Sequence, residues 1–371
     1  MANIKDVAKL ANVSVATVSR VINNKGYVNE HTKELVMQAI KELNYVPNEI
    51  ARSLYRKSSK IIGIIIPDLK NEFFNDMISG IEEVILQHGY KTMLCTSRES
   101  LDREKEYLQI FSTNKIDGLI LCSNSPDIVS YINLDIPIVG LDRIISKDIP
   151  SVTADNYMGG ILAANRLIEA NCRKIVQFRG PQTLSPANER ANGFLQTLQR
   201  HPDIQVHTVE LEFTPDTNAE IYNFLVTHPE IDGIFAASDI IAANCIRCLK
   251  KLGRQVPQEI KIIGYDNISI CEFTDPTIST IAQPIVSMGE IAAETLFKLI
   301  NNEPIDLDKD YTLTSINYIL KNMGEGITFE DSVLIMDDFM VDADALINYM
   351  QQTNINKLYS NPYGNNRIII K

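Results

Sequence analysis

The first 45 residues contain three short segments in which apolar side chains recur at helical spacing. Ser14 can cap the second helix and Asn29 the third, because their side-chain oxygens accept hydrogen bonds from free backbone N–H groups. Pro47 prevents the third helix from continuing. The apolar positions are Ile4, Val7, Ala8, Leu10 and Ala11, then Val18, Val21 and Ile22, and finally Leu35, Val36, Ala39, Ile40 and Leu43. The pattern predicts a three-helix bundle with a tight turn between the first two helices.

From Lys60 onward, short apolar runs alternate with amphipathic helical segments, which predicts parallel sheets with helices on both faces. Two segments also repeat. IDGLILCSN at 116–124 returns as IDGIFAASD at 231–239, and IPIVGLD at 136–142 returns as IKIIGYD at 260–266. The repeat predicts two similar α/β lobes with doubly wound parallel sheets. Asp142 and Asp266 then face one cleft, because ligands in such folds bind beyond the carboxyl ends of the strands.

Composition indicates a soluble globular protein. Of its 371 residues, 45% are hydrophobic and 22% are charged. No apolar run reaches the ~18 residues that span a bilayer, and the N-terminus MANIKDVAKL is too polar for a signal peptide. We therefore expect a cytoplasmic protein with no membrane association. The six scattered cysteines favour reduced, buried thiols over a disulfide framework.

Charge is distributed unevenly along the chain. Residues 1–60 carry a formal charge of +5, whereas the whole chain carries −12, so a small basic head precedes a large acidic body. This asymmetry indicates a polyanion-binding module. Two helices joined by a tight turn are the arrangement that places a second helix in the major groove. Here Val15, Ala16 and Thr17 could approach thymine methyl groups, and Arg20 could pair with guanine N7 and O6.

The stretches IKDVAKLANVSVATVSRVINNKGYV and ELNYVPNEIARSL resemble the DNA-binding head of the lactose-repressor (LacI/GalR) family. The resemblance runs through the head and, more loosely, through residues 61 to about 320. It implies a homodimer on palindromic operator DNA, with a hinge that becomes helical on DNA and a hinge leucine, Leu54, that wedges between base pairs. The DNA-binding residues that it implies are Lys5, Ser14, Val15, Ala16, Thr17, Arg20, Asn23, Tyr45, Asn48, Ala51, Arg52, Leu54 and Lys57.

The body resembles the periplasmic sugar-binding proteins as well as the body of the repressor family. This resemblance implies aromatic rings against the apolar face of a sugar, an arginine across neighbouring hydroxyls and carboxylates as hydroxyl acceptors. Ser238 stands where related proteins commonly have an asparagine or a similar amide side chain. The resemblance therefore does not specify the exact pattern of sugar hydroxyls that the site recognises. The implied effector-binding residues are Asn71, Phe73, Phe74, Asp142, Arg143, Arg190, Phe213, Ser238, Asp266 and Gln283. The set favours ribose or another pentose, with a sucrose-like disaccharide next.

Each of these residue types also has a purely structural interpretation. The three phenylalanines could belong to the core, where aromatic residues usually lie. Asp142 and Asp266 could cap strand ends, and Arg190 could form a surface ion pair. The sequence alone leaves these alternatives open.

The sequence predicts four segments. They are a helix-turn-helix domain at 1–46, a hinge at 47–60, a two-lobed effector-binding and dimerisation body at 61–321, and an acidic extension at 322–371 to which we assign no role. Within the body, lobe 1 covers about 61–158 and 284–321, and lobe 2 covers about 159–283. In the extension we expect a strand at 332–336, a helix at about 342–352 and then a loop.

Enzyme signatures are poor, and we predict no catalytic residues, no metal site and no cofactor. The chain contains no GxxxxGK[ST], GxGxxG, HExxH or GxSxG motif. Cys245 and Cys248 have CxxC spacing without a second pair, which favours buried packing. We therefore expect a sugar-induced repressor. The alternatives are a family member that responds to a phosphocarrier protein, a sugar-binding protein of a transporter and a sugar enzyme with an attached DNA module.

Overall fold

The computed structural model describes residues 2–23, 26–45, 58–125, 127–131, 135–305 and 367–370. The chain forms two compact units, an N-terminal head and a larger body. No helix among the described residues has the length and apolar character that a membrane crossing requires.

The head consists of α1 (Ile4–Leu10), α2 (Val15–Asn23) and α3 (Glu30–Glu42). Both predicted caps are confirmed. The Oγ of Ser14 accepts a hydrogen bond from the N–H of Thr17 at 3.1 Å, and the Oδ1 of Asn29 accepts one from the N–H of His31 at 2.9 Å. These caps fix where α2 and α3 begin.

The core of the head contains buried apolar residues from all three helices and from the C-cap of α1, namely Val7, Ala8, Ala11, Val18, Val36 and Ala39. Two apolar positions of the predicted stripes are exposed instead. Leu10 and Leu35 are 45% and 39% exposed. They lie at the edges of their stripes, and so small a bundle has too little interior to cover them.

From Ile61 on, the chain alternates strands and helices. In order, the elements are β1 (Ile61–Ile66), α4 (Glu72–Gln87), β2 (Lys91–Thr96), α5 (Leu101–Asn114), β3 (Gly118–Leu121), α6 (Ile128–Tyr131), β4 (Ile138–Leu141), β5 (Ser151–Ala154), α7 (Asn156–Glu169), β6 (Lys174–Arg179), α8 (Ser185–Leu198), β7 (Gln205–Glu210), α9 (Asn218–Thr227), β8 (Gly233–Ala236), α10 (Asp239–Lys251), β9 (Lys261–Asp266), α11 (Ile270–Phe273), β10 (Ser279–Ala282), α12 (Ile285–Ile300) and β11 (Arg367–Ile370).

The strands form two sheets, one in each lobe. The order in lobe 1 is β11-β5-β4-β3-β1-β2, and the order in lobe 2 is β10-β9-β8-β6-β7. Helix α12 packs against α4 and so belongs to lobe 1, whereas α7 packs against α8 in lobe 2. The predicted two-lobed α/β architecture with parallel sheets is therefore confirmed.

The repeated IDG segments have the same role in both lobes. The carboxylate of Asp117 accepts a hydrogen bond from the N–H of Lys60 at 3.0 Å, and that of Asp232 accepts one from the N–H of Lys174 at 2.9 Å. Strand β3 pairs with β1, and β8 pairs with β6 in the same way. In each lobe, the aspartate just before the third strand thus accepts a hydrogen bond from the backbone at the start of the first strand.

Replacing Asp232 with alanine should lower the free energy of unfolding by about 2 kcal/mol, because the N–H groups of Arg173 and Lys174 lose a charged acceptor. Urea unfolding followed by circular dichroism measures the loss. The matched control is Asp203→Ala, which removes only a surface ion pair with Arg173, worth about 0–1 kcal/mol. Equal losses in the two variants would contradict this role for Asp232.

The C-terminal residues differ from the prediction. The sequence predicts a loop there, but Arg367–Ile370 forms β11, parallel to β5 with Ile368 opposite Val152. The loop prediction is therefore wrong at these four residues, where three consecutive isoleucines favour a strand. The strand expected at 332–336, the helix expected at 342–352 and the hinge before Ser58 lie outside the described residues.

Candidate functional site

A cavity of about 750 Å³ lies between the two lobes, within the size range of small-molecule sites. It opens where the carboxyl ends of the lobe 1 strands meet those of lobe 2, as the repeat predicts. Eight of the ten residues expected to bind an effector line it, namely Asn71, Phe73, Phe74, Asp142, Arg143, Arg190, Phe213 and Asp266. The fold therefore brings together side chains that are up to 195 positions apart in sequence.

Two aromatic rings stand at the start of α4. Asn71 caps this helix, since its Oδ1 accepts a hydrogen bond from the N–H of Phe73 at 3.1 Å. The rings of Phe73 and Phe74 meet edge to face with their centroids 5.2 Å apart. Both are buried in the lobe 1 core and also line the cavity. The two rings therefore belong to the core of lobe 1 and at the same time form part of the cavity wall.

Phe213 approaches from lobe 2 and is only partly buried. Its ring lies against Gly180, where an added Cβ would fall 2.1 Å from Cζ of the ring. Only glycine at this position lets the ring approach the backbone so closely. The third aromatic ring of the cavity is thus set by a residue that the sequence pattern did not single out.

Arg190 is a buried cation held by four groups of lobe 2. Its Nε donates to Oδ1 of Asn156 at 2.7 Å, and its Nη1 donates to the carbonyl oxygen of Ala237 at 2.8 Å. Nη1 also lies 3.5 Å from Oδ1 of Asp266, and the guanidinium stacks over the ring of Tyr265 at 3.9 Å. Arg190 is therefore not a surface ion pair. Its fixed position suits recognition of neighbouring oxygen atoms.

Asp266 ends β9 inside the cavity. Its Oδ1 accepts a hydrogen bond from Nε2 of Gln283 at 2.7 Å. Burial raises the pKa of Asp266 to about 7, although the nearby charge of Arg190 acts to lower it. The carboxyl group is thus buried and contacts two side chains. A carboxyl group that only caps a strand end would instead be exposed to solvent.

Stability should decrease as pH rises through about 7, because the folded protein then loses a proton that the unfolded chain already lost near pH 4. The contribution of Asp266 is fully present below the unfolded pKa. Unfolding in urea at about pH 5.5 and about pH 8 measures this dependence, and Asp266→Asn should weaken it. Burial also raises the pKa of Asp239, to about 6, so this residue accounts for the pH dependence of stability that remains in the variant. An unchanged dependence in Asp266→Asn would contradict the assignment.

Lobe 1 contributes an ionic group at the end of β4. Both terminal nitrogens of Arg143 donate to Glu99 at 2.8 Å, and its Nε lies 3.7 Å from Oδ2 of Asp142. The Oδ1 of Asp142 and the Nε of Arg143 are buried without a hydrogen-bond partner among the described residues. Buried polar atoms in proteins are nearly always satisfied. Their position at the cavity therefore fits a site for a polar ligand.

Ser238 and Gln283 do not line the cavity. The Oγ of Ser238 caps α10 by accepting a hydrogen bond from the N–H of Ile241 at 3.4 Å, so its short side chain serves the helix. Gln283 instead donates a hydrogen bond to Asp266, which does line the cavity. Conversely, the sequence does not predict the contacts of Glu99 and Asn156, which position the two arginines. Neither occurs in a motif, and no spacing in the sequence signals their contacts.

In the head, Val15, Ala16 and Arg20 are exposed on α2, as is Lys5 on α1. Four other candidates, Ser14, Thr17, Asn23 and Tyr45, make internal contacts. The Oγ1 of Thr17 shares a hydrogen bond of 2.9 Å with Oγ of Ser14, the Nδ2 of Asn23 donates to the carbonyl oxygen of Ser19, and Tyr45 packs against the core of the head. The remaining candidates, Asn48, Ala51, Arg52, Leu54 and Lys57, lie outside the described residues.

All six cysteines are unpaired, and all but the partly exposed Cys95 are buried. Cys245 and Cys248 lie on successive turns of α10, where burial raises the pKa of both thiols. Within the described part of the chain, no group of three or more His, Cys, Asp or Glu could hold a metal ion.

Two family descriptions match the chain. "Bacterial regulatory proteins, lacI family" covers residues 3–48, and "Periplasmic binding proteins and sugar binding domain of LacI family" covers residues 59–310. Similar proteins include the ribose operon repressors of Bacillus subtilis, with 41% identity over 82% of this chain and 94% of that protein, and of Halalkalibacterium halodurans, with 40% identity over 82% and 92%. The sucrose operon repressor of Pediococcus pentosaceus is 36% identical over 84% and 96%.

Solved structures resemble the chain as well. A periplasmic binding protein/LacI transcriptional regulator from Alkaliphilus metalliredigens, complexed with D-xylulofuranose, has a TM-score of 0.62 and 37% identity over 66% of this chain and 92% of that one. The lac repressor dimer bound to operator and the anti-inducer ONPF has a TM-score of 0.74 and covers 82% of this chain and 94% of that one. At 24% identity, the second likeness concerns the fold alone.

Proposed function

Since this chain belongs to the LacI family of bacterial regulatory proteins, we propose that it is a cytoplasmic repressor that binds operator DNA as a homodimer and is released by a small saccharide. One observation carries the proposal. A helix-turn-helix head with an exposed α2 face and a body with a polar, aromatic cavity between two lobes belong to the same chain. The family and these relatives are regulators, and we propose no enzymatic activity.

The DNA-binding part of the proposal depends on the orientation of α2. Val18 is fully buried in the core of the head, whereas Ala16 and Arg20 lie on the opposite side of the helix and Val15 is exposed at its first residue. These side chains suit thymine methyl groups and guanine in a major groove. The wedge role of Leu54 remains a prediction.

Arg20→Ala should cost about 1–3 kcal/mol of operator affinity and relax the preference at one base pair, because a bidentate contact to guanine is lost. Lys5→Ala should instead weaken binding to all sequences alike, as loss of a phosphate contact does. Gel shifts on operator variants with each position changed in turn measure both effects. Equal losses on every sequence for Arg20→Ala would contradict base recognition.

The effector part of the proposal depends on the cavity. Its aromatic rings, its fixed Arg190 and its carboxylates at the ends of β4 and β9 suit a polyol with one apolar face. We propose a pentose, in line with the ribose operon repressors among the relatives and with the furanose complex of a similar structure. A disaccharide is the next candidate, given the sucrose operon repressor.

The release step depends on the position of the cavity between the lobes. The N–H of Ser269 in lobe 2 donates to Oε1 of Glu72 at the start of α4 in lobe 1, at 3.2 Å. A sugar that contacts both lobes would change the angle between them. In a dimer that rotation would alter the spacing of the two hinges and lower the affinity for operator DNA.

The proposal is tested in two steps. An operator duplex is first selected with the full-length protein from a randomised library. Gel shifts on this duplex are then repeated with a panel of sugars, and a pentose should release the protein. Release by none of the sugars, together with tighter binding when a phosphocarrier protein is added, would contradict the proposal and identify a regulator that responds to that protein.

A further inference from the structure

We infer that Glu99 determines the specificity of the cavity by occupying the guanidinium of Arg143, so that the site selects an unphosphorylated sugar and excludes its phosphate. The inference rests on the proposed function, because it takes this cavity to be the effector site.

Arg143 forms a bidentate ion pair with Glu99. Nη1 donates to Oε2 of Glu99 and Nη2 donates to Oε1, both at 2.8 Å. These two parallel bonds use the edge of the guanidinium with which an arginine binds a phosphate or carboxylate. Arg143 is 4% exposed, whereas the side chain of Glu99 is 42% exposed. The cation is therefore fixed in the wall of the cavity behind its carboxylate partner.

Among the described residues that line the cavity, none of the other three cations is both buried and distant from a carboxylate. Arg190 uses Nε and Nη1 within lobe 2 and stands beside Asp266. Lys70 and Arg98 are exposed to solvent, which screens their charge. Two buried guanidinium groups thus line the site, and each already has a carboxylate close to it.

The charges around the cavity favour the same class of ligand. Seven carboxylic side chains and four basic ones line it, and the carboxylic ones outnumber the basic ones both among the exposed side chains and among the others. A phosphate would enter against this field. A hydroxyl group, by contrast, can donate to the unpartnered Oδ1 of Asp142 or to Glu99. The site therefore offers acceptors to a neutral sugar and a repulsive field to its phosphate.

Glu99→Gln should reverse part of this selectivity. The amide removes one negative charge and competes less well for Arg143, so the guanidinium becomes a donor to an incoming phosphate. Isothermal titration of the full-length protein uses three probes, D-ribose, D-ribose 5-phosphate and inorganic phosphate. The natural protein should bind D-ribose at least about 100-fold more tightly than its 5-phosphate, and Glu99→Gln should narrow this ratio by about 10-fold or more.

Two further variants separate specificity from a merely structural role. Glu99→Asp keeps the negative charge and should keep the exclusion of the phosphate. Asp102→Asn is the matched control, because it removes the same charge three residues along the chain, from a side chain that is 95% exposed and does not line the cavity. It should leave the ratio unchanged. If Glu99→Gln leaves the ratio of the affinities for D-ribose and its 5-phosphate unchanged, the inference is overturned. It is also overturned if Asp102→Asn narrows this ratio as much as Glu99→Gln does.

The phosphate probe distinguishes failure of the inference from failure of the proposed function. If the natural protein binds no sugar, the proposed function fails. The role of Glu99 is then judged from inorganic phosphate alone. Stronger binding of phosphate by Glu99→Gln than by the natural protein or by Asp102→Asn would support the role, and equal binding in all three would overturn it.

Discussion

Replacing Arg190 with alanine should abolish the response to sugar and leave operator binding unchanged. The substitution removes a buried cation that lies 3.5 Å from Asp266 and donates to Asn156 and Ala237. Loss of a charged hydrogen-bond donor to the ligand costs about 1.5–3 kcal/mol, which corresponds to a loss of sugar affinity of about 10-fold to 100-fold. Calorimetry with D-ribose and a gel shift on the selected operator measure the two activities separately.

The matched control for this variant is Arg173→Ala. Arg173 is a second arginine of lobe 2, just before β6, and its half-exposed side chain pairs with the exposed Asp203 at 3.1 Å. Loss of that surface pair should change stability by less than about 1 kcal/mol and leave sugar affinity unaltered. Retention of sugar binding by Arg190→Ala would contradict the assignment of the cavity. Loss of operator binding by this variant would show that the substitution disturbs more than the cavity.

Val18→Asp should abolish specific operator binding. Val18 is fully buried in the small core of the head, where a charge has no partner. Burial of an unpaired carboxylate costs several kcal/mol, enough to unfold so small a bundle. Affinity for a specific site exceeds affinity for non-specific DNA by about 10³-fold or more. A gel shift should show that the variant binds the operator no more tightly than it binds non-specific DNA.

Met37→Asp is the control, because it adds the same charge to the same head at a side chain that is 54% exposed. It should reduce operator affinity by a few-fold at most, through charge alone. Sugar binding should be unchanged in both variants, because neither residue lies in the body. Operator binding by Val18→Asp would contradict the assignment of the DNA-binding surface to α2.

The sequence predicts most strongly where a pattern is local or repeated. The Ser14 and Asn29 caps follow from neighbouring residues. The two lobes follow from the IDG repeat, whose aspartates make equivalent hydrogen bonds. The resemblance to a known family added the cavity residues, because it carries information about contacts that periodicity does not contain.

Contacts between distant segments are what the sequence leaves out. Glu99 meets Arg143 across 44 positions from a loop in which Glu99 itself adopts a left-handed backbone, with φ of 56°. No spacing predicts such a contact. Ser238 has the residue type of either a ligand-binding side chain or a helix cap, and only the structure shows it capping α10. Leu10 and Leu35 fit their apolar stripes, yet the bundle is too small to bury them.

In the proposed mechanism, one chain couples a sugar in the cavity to operator DNA on the head. Coupling of this kind is reciprocal, so operator DNA must weaken sugar binding by the same factor by which sugar weakens operator binding. The most direct test is therefore the affinity of the full-length protein for D-ribose, measured by calorimetry with and without saturating operator duplex. We expect weaker sugar binding with the operator, by about 5-fold to 150-fold. Equal affinities would contradict the coupling, and tighter binding with the operator would make the sugar a corepressor instead of an inducer.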